Sequence, residues 1–154
     1  MALNVELDLQ LAADNSEGLP VEAEVAAWVQ ASLEGRFEEA VAVTIRIVDE
    51  VEGRALNESF RHKQGPTNVL SFPYDGEVAL SPVLLGDIVI CAPVVATEAR
   101  EQAKLEKSHW CHMVVHGMLH LLGYDHINDV DAEEMESEEI VVLSLLGYAN
   151  PYVE

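Results

Sequence analysis

Positive charge is what this chain has least of. Its 154 residues carry 8 Lys and Arg against 28 Asp and Glu, a formal net charge of −20. Non-specific affinity for phosphates comes from lysine and arginine, so so acidic a surface repels nucleic acid in general, and any such ligand has to be met locally. Cysteine is almost as scarce. Cys91 and Cys111 lie far apart and fit a reducing compartment. Long hydrophobic runs are missing too: none reaches the roughly 18 residues that a membrane span needs, and no charged segment followed by an apolar run opens the sequence. The expectation is a soluble, cytoplasmic protein with no membrane partner. Repeats, linkers and low-complexity segments are also missing, and 49% hydrophobic content over this length suits a single domain, residues 1–154, with its own core.

The few bases are unevenly placed. Arg54, Arg61 and Lys63 fall within ten residues, whereas Asp125 to Glu139 holds eight acids and no Lys or Arg. One end of the molecule can therefore be positive while the whole is negative, and the acidic run reads as a solvated helix face.

Periodicity predicts the elements. Residues 3–11 alternate, with Leu3, Val5, Leu7, Leu9 and Leu11 on one side, as in a half-buried strand. Pro20 can occupy the first turn of a helix through Val25, Trp28 and Leu33 that stops near Gly35. A second alternation runs from Val41 to Ile47. Asp49 and Glu52 resemble a capping box for a short helix holding Leu56 and Phe60. Gly65-Pro66 is a turn, Asn68 to Phe72 has strand composition, and Pro73 ends it. Leu84 to Cys91 is a further strand, and Pro93 opens a helix through Lys104. Ser108 is placed to cap a helix that ends at Gly123, and Asp129 or Asp131 starts a last one, packing through Met135, Ile140, Val141, Leu143, Leu145 and Leu146 and stopping at Gly147. The order β-α-β-α-β-β-α-α-α makes an α+β domain with one mixed sheet of about four strands covered by helices.

The chemistry gathers in His116-Gly117-Met118-Leu119-His120-Leu121-Leu122-Gly123-Tyr124-Asp125-His126. Val114, Val115, Met118, Leu119, Leu121 and Leu122 make the segment apolar on nearly every face, which predicts a buried central helix whose imidazoles are the anomaly. Positions four apart differ by about 40° in direction and about 6 Å in height, so the His116 and His120 rings can meet at one point. A left-handed Gly123 would turn the chain so that His126 approaches the same point. Three neutral imidazoles suit one zinc ion, with a fourth position left open as catalytic sites require. His112 lies one turn earlier on the same face; a linear row cannot converge on one ion, so His112 is a supporting or substrate-facing group, or packing. His109, beside Ser108, is structural. Cys111, five residues before His116, faces away as an inert core thiol. The spacing matches the metalloprotease pattern HExxHxxGxxH except that Gly117 stands where the general-base glutamate would be, which argues against peptide hydrolysis.

The segment HGMLHLLGYDH, with PTNVLSFPYD and LGDIVI upstream, resembles the YbeY family of metal-dependent bacterial endoribonucleases of ribosomal RNA maturation and ribosome quality control. The resemblance is clearest from Leu56 to Tyr152; the first forty residues match only in their pattern of elements. It implies one Zn2+ per chain on His116, His120 and His126. The family's functional arginine precedes its TNVLSFP segment, and Arg61 in LNESFR stands there. It also implies a single-stranded substrate near the 3′ end of the small-subunit ribosomal RNA, and as partners ribosomal particles, small-subunit ribosomal proteins and a ribosome-associated GTPase, with no role for DNA. His112, Ser71 and Asp125 are further candidates; Asp125 either orients a ligand histidine or caps the next helix. Three rivals stand beside this reading: a metallopeptidase, a small-molecule metallohydrolase, and a non-catalytic, zinc-stabilised ribosome-assembly factor.

Overall fold

The alternating segments become two neighbouring parallel strands, β1 (Val5–Leu11) and β2 (Val41–Val48), joined through helix α1 (Glu22–Leu33). This computed structural model describes residues 4–14, 18–37, 39–61, 65, 67–74, 83–125 and 128–152; Leu3, Lys63, Pro66 and His126 lie outside them. Helix α2 (Glu50–Arg61) follows, then β3 (Val69–Pro73), β4 (Val83–Cys91), α3 (Ala92–Glu101), α4 (Glu106–Leu121) and α5 (Asp129–Leu145). The sheet order is β1-β2-β4-β3. β4 runs parallel to β2, pairing Ile45 with Ile88, and antiparallel to β3, pairing Ser71 with Ile88. Among the described residues this is an α+β domain with one mixed four-stranded sheet and five helices, as the order of elements predicts.

Helix α4 organises the layers. It packs on β3 and β4 and touches α1, α3 and α5. His109 to Val115, Gly117 to Leu119 and Leu121 are all buried, which is why its sequence is apolar all round. Each large apolar side chain removed from water here contributes about 1.5–3 kcal/mol. The approach to the sheet is close at Gly117, where a Cβ would lie 2.9 Å from Cγ2 of the fully buried Ile88.

Several local expectations fail for identifiable reasons. Ser108 lies inside the first turn of α4, whose N-cap is Leu105 without a side-chain bond, and the cap of α5 is Asn128, which accepts the Asp131 N–H at 2.9 Å. Pro20 precedes the Val21 N-cap of α1, where Glu24 accepts the Val21 N–H at 3.1 Å. The Asp49 and Glu52 carboxylates go elsewhere: Asp49 accepts the Asp14 N–H at 2.9 Å, and Glu52 takes the Arg46 guanidinium at 2.6 and 2.9 Å. Helix α3 stops at Glu101, short of Lys104. Leu11 ends an edge strand and is exposed. On α5, Val142 joins Met135 and Leu143 in the core, whereas Val141 and Leu145 face solvent.

Candidate active site

The histidines leave α4 near its C-terminus, where the helix closes in a Schellman turn. The Gly123 N–H bonds to the His120 carbonyl and the Tyr124 N–H to the Leu119 carbonyl, both at 3.0 Å, and Gly123 takes φ 102°, a left-handed value that a side chain would resist. One turn apart, the His116 and His120 rings stand edge to face with centroids 4.8 Å apart. His126, the third histidine of the motif, lies outside the described residues.

Behind His116 lies a carboxylate. Glu139, on α5, is fully buried, and its Oε2 sits 2.7 Å from His116 Nδ1 and 3.4 Å from His112 Nε2. The Tyr152 hydroxyl donates to the other oxygen, Oε1, and lies 3.2 Å from His112 Nε2. Burial alone would push the Glu139 carboxyl up; hydrogen bonds from His112, His116 and Tyr152 outweigh it and hold it down to about 2. Burial and the adjacent carboxylate both push the Tyr152 hydroxyl up, so it remains a donor. His112, His116 and Glu139 place one potential ligand atom each within 4.8 Å of one another, and this cluster could hold a metal ion.

On the other side of His116 and His120 opens a cleft. A cavity of about 360 Å³ is lined by Asn57, Arg61, Asn68, Ser71, His116 and His120 among others. An adjoining one of about 470 Å³ shares Arg61, Ser71 and His120 and extends to Phe60, Tyr124 and Asp125. Arg61 reaches it as the last residue of α2, and Ser71 from β3 donates its hydroxyl to the Gly117 carbonyl at 3.3 Å. Arg61, Ser71, His116, His120 and Asp125 thus come together from four parts of the chain. His112 is buried on the Glu139 side and is not among the residues lining the cleft. Asp125 does not cap α5, a role that Asn128 fills. His109 is tied to Glu98 at 2.9 Å, and burial pushes its pKa down despite that partner. Cys111 is fully buried, which pushes its thiol up to about 12.

Glu139 and Tyr152 are the residues that the sequence reading misses. Glu139 stands inside the acidic run taken for a solvated face. A signal existed: it lies four residues after Met135 and three before Val142, on the stripe of α5 that enters the core. Tyr152 lies beyond the last helix and has no such periodic marker.

A family model described as Endoribonuclease YbeY matches residues 11–147. Among solved structures, the solution structure of TM1509 from Thermotoga maritima is similar at a TM-score of 0.57 and 25% sequence identity, over 90% of this chain and 91% of that one. The match covers both edges of the cleft and the whole histidine helix, and the chain belongs to the YbeY endoribonuclease family.

Proposed function

We propose that this protein is a metal-dependent, single-strand-specific endoribonuclease of ribosomal RNA, acting on the small-subunit 3′ end and in ribosome quality control. The observation that carries the reading is the cleft in which a guanidinium, Arg61, faces the same space as His116 and His120. Among the described residues Arg61 is the one Lys or Arg lining that cleft.

The residue types suit a zinc ion held by His116, His120 and His126. With Nδ1 of His116 directed at Glu139, Nε2 is the nitrogen of that ring able to face an ion, the arrangement in which a carboxylate fixes the tautomer and orientation of a metal-ligating histidine. Glu139 is itself better placed as this orienting group than as a ligand, because three donors already converge on its two oxygens. When bound, zinc supplies a Lewis acid that polarises a phosphoryl oxygen and lowers the pKa of water. Arg61 holds the non-bridging oxygens of the scissile phosphate with its planar fork and offsets charge that builds there. Ser71 fixes β3 against α4 and keeps the two walls of the cleft in register. Asp125 lines the adjoining part of the cleft, as an acceptor for a sugar hydroxyl or base edge.

Recruitment follows from charge. A protein of net charge −20 gains little from RNA in bulk but is drawn to the basic surfaces of small-subunit ribosomal proteins, which present the RNA to the cleft in the cytoplasm. The test is incubation of zinc-loaded protein, beside Arg61→Glu, with small-subunit ribosomal RNA free and in particles. The wild type cleaves and Arg61→Glu does not, at unchanged metal content; retained cleavage by the variant overturns the role of Arg61.

One specific observation favours a second reading. Two members of the His112, His116 and Glu139 cluster, His112 and Glu139, are buried and do not line the cleft, which among the three His116 alone reaches, and an ion held on their side would be structural. Peptide hydrolysis is disfavoured by packing as well as by sequence, because a glutamate at 117 would collide with Ile88.

A further inference from the structure

The cleft has an aromatic end that the chemistry above does not use. Phe60 precedes Arg61 at the end of α2 and is 62% exposed, and its ring meets that of Phe72 on β3 edge to face, centroids 5.3 Å apart. Phe60, Phe72 and Tyr124 line the same 470 Å³ cavity as Arg61, His120 and Asp125. Phe60 does little for the core: Phe72 packs against the small cluster of Val48, Leu70, Val89 and Cys91, whereas Phe60 lies outside it. Phe72 supports the phenyl ring from one side only, and the ring's exposed surface beside the guanidinium is open to an occupant.

The geometry points to Phe60, backed by Phe72, as a stacking platform for the nucleobase adjacent to the phosphate held by Arg61. This inference rests on the endoribonuclease reading and adds how the substrate is gripped. Single-stranded RNA is bound through two contributions: cations along its backbone and aromatic faces under its bases. The first is nearly absent here, with 28 acids to 8 bases in the chain and one Arg lining the cleft among the described residues. Stacking does not depend on net charge, so it is the means left to an acidic protein. It also selects single strands, because a base inside a duplex is already stacked on both faces. The cavity has the size of a small-ligand pocket, room for one nucleotide rather than a helix.

The test uses the full-length zinc-loaded protein and short single-stranded 2′-O-methyl phosphorothioate RNAs that resist cleavage, each with 2-aminopurine at one position. Moving from its neighbours in the strand onto a protein ring changes the emission of this base. The wild type is expected to change the emission at one position, Phe60→Leu to lose that change and bind about tenfold more weakly, and Phe60→Trp to restore the affinity and quench the base at that position, at equal metal content and melting temperature. In parallel, cleavage of the matching natural RNA should show a raised KM in Phe60→Leu with kcat little changed. Unchanged emission response and affinity in Phe60→Leu, or no responding position in the wild type, overturns the platform, even if RNA is cut. A Phe60-dependent emission change in a protein that cuts no RNA supports the platform and instead removes the nuclease reading.

Discussion

Replacing Glu139 by Gln separates the two ways in which this protein can hold a metal. Glutamine has the shape of glutamate, but one of its two ends is an NH2 group, and Glu139 is faced by donors on both oxygens: His116 Nδ1 at 2.7 Å on one and the Tyr152 hydroxyl on the other. At least one donor must lose its acceptor. A hydrogen bond to a charged group contributes about 1.5–3 kcal/mol, and breaking a buried charged pair by removing one partner costs about 3–5 kcal/mol. Because glutamine keeps the volume and one acceptor, we expect Glu139→Gln to lose about 2–4 kcal/mol of stability, a fall in melting temperature of roughly 5–15 °C for a domain of this size. With Glu139 acting through His116, zinc affinity should fall about 10- to 100-fold, as for other groups that orient ligand histidines. Competition with a chromophoric chelator measures the affinity, and calorimetry the stability. His112→Gln is the companion: it should leave the affinity within about tenfold, whereas His120→Ala should abolish binding. Unchanged affinity in Glu139→Gln would refute the orienting role. Loss of binding in both Glu139→Gln and His112→Gln, with binding kept in His120→Ala, would place the ion in the buried cluster and refute the catalytic centre.

Other consequences can be measured directly. Gly117→Ala should destabilise by about 1 kcal/mol on chemical denaturation, because overpacking against Ile88 outweighs the helix propensity gained; a more stable variant would contradict the close approach. Burial raises both thiols, Cys111 to about 12, so iodoacetamide at pH 8 should leave them unmodified in the native protein and alkylate both in denaturant; rapid native labelling of Cys111 would show that α4 is not buried as described. Binding of single-stranded RNA should depend weakly on salt, with a slope of log K against log salt of about −0.7, since the single charge of Arg61 neutralises one phosphate. A much steeper slope would mean that cations beyond Arg61 meet the RNA.

What could be read in the sequence divides along physical lines. Where one side-chain property decides a whole element, the reading succeeded: the alternation of Val41 to Ile47 and the uniformly apolar surroundings of His116 both act over many residues, so single errors average out. The positive φ of Gly123 follows from a residue type with few other uses after a helix. Caps depend on a single hydrogen bond, and Ser108, Asp49 and Glu52 each had a competing partner or position that local spacing cannot reveal. Arg61 and His120 share a cavity across a separation that periodicity does not span, and the family resemblance, not the spacing, had named Arg61. Glu139 was concealed by its neighbours: seven other acids in the same run made a solvated face the natural reading, while burial by α4 gave one of them a different role.

The contact between Gly117 and Ile88 also bears on how this fold can change. On paper one substitution turns the histidine segment into a protease signature. In space the helix rests on the Ile88 side chain at that residue, so a larger side chain could enter only if Ile88 gave way, by a shift of its own or by a smaller residue in its place. Protease chemistry is therefore separated from this scaffold by an adjustment on the sheet as well as a substitution on the helix, so positions 88 and 117 would have to vary together.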